Sequence, residues 1–266
     1  MKTAVKACVK MFIPVVLRAR FGLAYAKAVL FGFRYKCPFC RSRLRAFLPF
    51  GLDLPALKDK RVVGGGCRLN SLCPICGSLD RERLLYLYLL HKTDIFMNST
   101  KLLHVAPEER VKEILSSKKN LDYLTADLHS KNVRIKMDIT DIQFSDNSFD
   151  AIICNHVLEH IIDDRKAIAE LHRVLKPEGW AILQVPMSLS LDRTFEDFSI
   201  TTAKGREEAF GQHDHVRIYA VDYEARLSSA GFKVNVFKWI EEAESFGGHK
   251  NMFGLNEDEC VYVARK

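Results

Sequence analysis

Apolar positions in the second half of this chain switch between two periods, and each switch marks an element. Phe149-Asp150-Ala151-Ile152-Ile153-Cys154-Asn155 is an apolar run of strand length, entered through the turn residues Ser145, Asp146, Asn147 and Ser148. Ile168, Leu171, Val174 and Leu175 then recur at helical spacing. Lys176-Pro177-Glu178-Gly179 predicts the stop of that helix, with a basic last turn, a proline and a glycine. Trp180 to Val185 forms a second apolar run, ended by Pro186. Both runs are apolar on both faces, as strands of a covered parallel sheet must be. Ligands of such sheets bind beyond the carboxyl ends of the strands, which makes residues 155–160 and 186–190 the rim of an expected site.

The same reading extends outward. Residues 101–105 and 121–126 are buried-type strands, the first followed by Pro107 in the first turn of a helix running through Val111 to Ser116. Residues 133–137 are a third short strand. Residues 221–230 read as a helix closed by Gly231, and residues 232–239 and 259–264 as strands, with 241–258 between them as a surface excursion. Residues 80–91 read as a helix with an acidic cap and a broad apolar face. Strands alternating with helices predict an α/β fold.

Charge divides the chain. Residues 1–96 carry 18 Lys/Arg against 5 Asp/Glu, whereas residues 97–266 carry 22 against 28. A basic front of +13 is joined to a body of −6, which suits either a polyanionic partner or a merely solvated basic face. Residues 1–36 hold eight basic residues and no acidic one. Pro14, Arg18 and Arg20 interrupt the apolar run that a secretory signal needs. This basic amphipathic leader could lie on an anionic membrane surface, or pack on the body with its charges in water. No run of eighteen uncharged apolar residues predicts a transmembrane helix.

Eight cysteines add chemistry. Cys37-Pro38-Phe39-Cys40 and Cys73-Pro74-Ile75-Cys76 are two knuckles, and four thiolates suit a tetrahedral zinc ion with a closed, structural shell. The intervening residues must form a looped excursion, bent at Gly64-Gly65-Gly66. Residues 37–92 are therefore expected to be a zinc-ribbon-like module with its linking helix, in a reducing, cytoplasmic setting. Residues 97–266 would be the catalytic-looking domain.

The string from Ser148 to Pro186, with its Phe-Asp, Leu-Glu-His and Leu-Lys-Pro-Glu-Gly elements, closely resembles class I S-adenosylmethionine (SAM) methyltransferases, particularly the methyltransferase type 11 group. The resemblance implies a Rossmann-like three-layer sandwich. It places the turn His104-Val105-Ala106-Pro107-Glu108-Glu109-Arg110 under the methionine part of SAM, where that family has a glycine-rich turn. Here Ala106 stands at the first glycine position and Glu108 at the second; Glu108 could contact the SAM ammonium, while a degenerate pocket is the alternative. Asp127 lies 23 positions after His104, near the spacing at which a carboxylate meets ribose hydroxyls. By the resemblance, Asp138 faces the adenine amino group with Ile139 beside the ring, although an Asp there also suits a helix cap. Asn155 and His156 are implied as SAM contacts, and His156 or His160 as a general base.

Residues 187–219 form a long polar segment of the kind that makes lids. Its His213-Asp214-His215 and Arg217 supply a candidate acceptor base, His213 or His215, or a seat for an anionic acceptor. Transfer of a methyl group from SAM to a small-molecule or glycan acceptor is the leading expectation. Relatives with a cysteine-rich front point to a sugar of a surface polysaccharide or lipid-linked glycan, with the leader at the inner face of the membrane. Two alternatives remain: an RNA base methyltransferase whose basic zinc module holds RNA, and a non-catalytic binding protein with a decayed SAM pocket.

Overall fold

The computed structural model describes residues 27–266, so most of the basic leader lies outside it. Seven strands build the central sheet: β6 (Thr100–Val105), β7 (Leu121–Asp127), β8 (Ile135–Lys136), β9 (Phe149–Cys154), β10 (Leu175–Ile182), β14 (Lys233–Lys238) and β15 (Cys260–Arg265), numbered with the eight outside it. Their order is β14-β15-β10-β9-β6-β7-β8. The pairs from β10 to β8 are parallel, while β15 runs antiparallel to both β10 and β14. The closing antiparallel hairpin expected at the C-terminal end is present.

Alternation along β9 explains the three layers. Ile152 and Cys154 join a core with Ile168, Leu171, Val174, Tyr223 and Leu227, from helices Asp164–Val174 and Tyr223–Ser228. Ala151 and Ile153 join a second core with Leu84, Leu85, Leu89, Val111 and Leu115, from helices Asp80–Lys92 and Glu109–Ser116. The sheet is thus buried on both faces, as its apolar strands require. Strand order reverses between β6 and β9, and in open α/β sheets that switch point opens a crevice at the carboxyl ends.

Helix Asp164–Val174 does not end on a glycine cap as the Lys-Pro-Glu-Gly string predicted. β10 begins at once with Leu175, and Glu178 takes the left-handed conformation (φ +64°) within a register shift between Leu175 and Trp180.

Two strands already precede and follow the first knuckle: β1 (Phe31–Lys36) pairs with β2 (Arg43–Leu44). β3 (Leu48–Phe50) pairs with β5 (Arg68–Leu72), which leads into the second knuckle. Arg83, fully buried, fastens this module to the body. It donates to the carbonyls of Asn70, Ser71 and Ser78 on one side, and of Phe253 and Gly254 on the other, at 2.7–3.1 Å. Residues 241–258 are therefore no mere surface excursion. Phe246 and Leu255 pack into the second core, and Lys36 donates its backbone N–H to the Met252 carbonyl at 2.8 Å.

The excursion between the knuckles crosses to the opposite rim. β4 (Val62–Val63) pairs with β11 (Met187–Ser188), and the Ser188 hydroxyl donates to the Lys60 carbonyl at 2.6 Å. Leu57 packs with Phe210 and Ile218 in a small core of its own. The remaining pair is β12 (Phe195–Glu196) with β13 (Arg217–Ile218). No helix among the described residues is long and apolar enough to cross a membrane.

Candidate active site

At the carboxyl end of β6 the chain turns through Ala106, whose φ of +46° is the left-handed conformation that glycine adopts without strain. The turn thus keeps the backbone path expected of a glycine without the glycine. Glu108 follows. Its Oε2 lies 2.9 Å from His104 Nε2, and its Oε1 accepts from Asn155 Nδ2 at 3.2 Å. Burial alone would raise this carboxyl; the His104 hydrogen bond and charge and the Asn155 amide outweigh it and hold it at about 2. Glu108 and Asn155 therefore bridge the crevice at the switch point, one on each side. The other ring nitrogen of His104, Nδ1, is 2.8 Å from the Tyr123 hydroxyl, so His104 is a buried support behind the turn.

Asp127 ends β7, next door. Its Oδ1 accepts the backbone N–H groups of His129 and Ser130, both at 2.6 Å, which fixes the carboxylate at the strand end. Asp138 makes the same kind of local turn, accepting from the backbone and hydroxyl of Thr140 at 2.8 Å, and it is exposed. Ile139 is only 3% exposed, in one core with Met137, Ile142 and Phe149. Asp127 and Asp138 thus stand at the rim, whereas Ile139 offers a ligand little surface.

Beyond β9, Asn155 and His156 are locked to β10: Asn155 Oδ1 accepts from Gln184 N at 3.2 Å, and His156 N donates to the Gln184 carbonyl at 2.8 Å. His156 has φ +55°, a second strained residue at a strand end. Its Nδ1 is 3.4 Å from Glu159 Oε1, and burial, with Arg81 nearby, lowers its basicity. The backbone of Gly64, from the excursion between the knuckles, lies over this spot. A methyl group added to Gly64 would sit 3.3 Å from His156 Cε1 and 3.7 Å from Glu259 Oε1. Among the described residues, four buried polar atoms here have no hydrogen-bond partner: Arg81 Nε, His156 Nε2, Glu159 Oε2 and Glu259 Oε2. Burial, with Asp80 nearby, pushes the Glu259 carboxyl up to about 7. Unpaired buried polar groups carry a cost that a polar ligand can repay. Glu259 escapes sequence reasoning, because its neighbours come from distant segments.

The lid residues separate in space. Arg217 is fully buried, paired with Glu196 at 2.9 Å, and donates to the carbonyls of Leu158, Ile161 and Ile162. It ties the lid to the 3-10 turn Leu158–His160 and leaves nothing for an anionic acceptor. His213 is largely exposed, its nearest acid being Asp214 at 3.9 Å. His215 is buried, with its ring edge-on to His160 at 4.7 Å, and burial above all lowers its basicity to about 4. The lid thus brings His215, not His213, to the rim.

Ahead of helix Asp80–Lys92, the sulfurs of Cys37, Cys40, Cys73 and Cys76 all lie within 4.8 Å of one another. The Cys37–Cys76 and Cys40–Cys73 separations are 3.6 and 3.8 Å. Four sulfurs bound tetrahedrally at ~2.3 Å stand about 3.8 Å apart, so the donor set and its spacing fit zinc. Another surface feature, a depression of about 660 Å³ lined in part by Asp94, Asp150 and Trp180, lies at the amino ends of β6 and β9, away from this chemistry.

Residues 97–183 match a family model described as a methyltransferase domain. An uncharacterised protein of Methanocaldococcus jannaschii is 39% identical over 72 residues, 26% of this chain and 32% of that protein. A demethylmenaquinone methyltransferase of Clavibacter sepedonicus is 41% identical over 49 residues, 18% of this chain and 20% of that protein. The chain spans a third or less of the length of these curated relatives. Among solved structures, the cyclase SpnF superposes with a TM-score of 0.47 at 14% identity, covering 72% of this chain and 84% of that one. The YcgJ protein of Bacillus subtilis gives 0.42 at 15% identity, covering 68% and 96%.

Proposed function

We propose that this chain, whose residues 97–183 form a methyltransferase domain, transfers a methyl group from SAM to a polar acceptor bound beneath its lid. The observation that carries the reading is the convergence of Glu108, Asn155 and Asp127 at the carboxyl ends of three adjacent parallel strands, within the matched segment. Glu108, ionised and inward, complements the amino group of the methionine moiety. In this reading Asp127 accepts ribose hydroxyls, and Asp138 stands further along the same rim. Four unpartnered buried polar atoms between the Gly64 turn and β9 supply the donors and acceptors of a polar pocket. SAM brings a methyl group on a sulfonium, an already good leaving group, so the protein's task is alignment and, for a hydroxyl acceptor, removal of its proton. His215 and His156 are the buried bases at the rim; both are held neutral near pH 7, as proton acceptors must be.

The acceptor we favour is a sugar hydroxyl or carboxyl of a surface or lipid-linked glycan, reached at the cytoplasmic side. The four-cysteine centre is proposed as a structural zinc site that holds β1–β5 against the body. A methyl-transfer assay with labelled SAM on cell extract, fractionated into glycan, lipid, RNA and protein, tests the reading. Label in the glycan or lipid-glycan fraction supports it. Label confined to RNA shifts the assignment to a nucleic-acid acceptor, and no transfer to any fraction contradicts the enzyme.

A further inference from the structure

The 3-10 turn Leu158–His160 and the lid bring together three side chains that the methyl-transfer reading leaves incompletely used. Glu159, His160 and His215 each offer one ligand atom, and these three atoms lie within 4.8 Å of one another. Glu159 is 1% exposed, yet its Oε2 has no hydrogen-bond partner among the described residues. A carboxylate buried in this way calls for a proton, a donor or a cation. The two imidazoles beside it are held apart edge to face, with centroids at 4.7 Å, and no hydrogen bond joins them.

Surrounding contacts hold the group in place. Asp214 Oδ2 lies 3.3 Å from His160 Nδ1, a carboxylate–histidine contact of the kind that orients a ligating imidazole through its other nitrogen. The Val216 N–H donates to the Glu159 carbonyl at 2.9 Å, and Arg217 grips the carbonyl of Leu158, so lid and turn move as one piece. Two imidazoles and one carboxylate, from a turn and a lid, form a facial set that leaves coordination positions open. That donor set suits first-row divalent ions such as zinc, whereas the closed four-thiolate set suits only a structural ion.

We propose that Glu159, His160 and His215 form a second metal site, for a divalent transition ion, open toward the rim of the pocket. The proposal rests on the geometry of the turn and the lid; with an ion bound, His215 is a ligand and His156 remains as the proton acceptor of the methyl-transfer reading.

Titration of the purified full-length chain with cobalt(II), its thiolate site already holding zinc, tests it. The expected result is one equivalent of cobalt with weak ligand-field bands and no sulfur-to-cobalt charge transfer, displaced by added zinc. His215→Gln and Glu159→Gln, checked for folding by circular dichroism, should each abolish that uptake. X-ray absorption at the cobalt edge of the unmutated chain provides a second readout, and should show imidazole and oxygen ligands. No uptake beyond the thiolate site, equal uptake in both variants, or sulfur in the cobalt shell would overturn the assignment.

Discussion

His104 Nε2 and Glu108 Oε2 lie 2.9 Å apart, and this pair takes over the turn that a glycine-rich segment would otherwise form. With Glu108 ionised, the His104 Nε2–H donates to it, and Nδ1 on the other side of the ring lies 2.8 Å from the Tyr123 hydroxyl. A strand residue thereby holds a carboxylate at the crevice mouth. Glu108→Gln keeps the shape and removes the charge. Because the folded-state carboxyl is held at about 2, below its ordinary 4.5, its contribution to stability is complete above pH 4.5 and is lost as pH falls toward 2. The variant should be less stable by on the order of 2 kcal/mol at pH 7 in urea unfolding, with the gap narrowing below pH 4.5 and closing only as pH falls to about 2.

Ala106 offers a sharper test of the same turn. A non-glycine residue at φ +46° costs on the order of 1 kcal/mol. Ala106→Gly should be neutral or mildly stabilising, while Ala106→Val, whose branched side chain resists this conformation, should lower the melting temperature by several degrees. Equal melting temperatures for both variants would show that the turn carries no strain.

Asp164 anchors the far side of the rim. It accepts from the Tyr219 hydroxyl at 2.7 Å and from Arg226 at 2.8 and 3.0 Å, with Arg217 3.7 Å away. Removing it would leave two buried guanidinium groups sharing Glu196 alone. Asp164→Ala should cost about 3–5 kcal/mol in chemical denaturation, the range for breaking a buried ion pair, whereas exposed Lys204→Ala should cost almost nothing.

Much of the body was legible in the chain itself, because local pattern dictates it. β9, helix Asp164–Val174 and β10 are each encoded by contiguous apolar spacing, and each appears within a few residues of its expected place. The two knuckles were legible because ligand spacing is local. What escaped were partnerships between distant segments. Arg83 looked like one more charge on an amphipathic helix, yet its five carbonyl partners come from residues 70–78 and 253–254. Arg217 looked like an anion site, and its guanidinium is spent on the turn after β9. The Gly-Gly-Gly bend was expected, but its resting place over His156 depends on the pairing of β4 with β11.

The thiolate centre predicts dependence of the front on metal. The hairpins β1–β2 and β3–β5 share a small core, Leu30, Leu44, Phe47 and Leu48, packed with Cys37 and Cys73. So small a core needs a staple. A strong chelator under mild denaturation, or Cys73→Ser, should release the front and expose it to limited proteolysis, and elemental analysis should find zinc at these thiolates. Full protease resistance in zinc-free protein would contradict the structural role.

In the proposed function the switch-point crevice holds SAM, with Asp127 on the ribose. Isothermal titration calorimetry with SAM measures it most directly, on the unmutated chain and on Asp127→Ala. Saturable one-site binding is expected for the former, and at least a tenfold weaker affinity, about 1.4 kcal/mol, for a variant with an unchanged circular dichroism spectrum. Absence of any heat at millimolar SAM, or identical affinities for the two proteins, would contradict it.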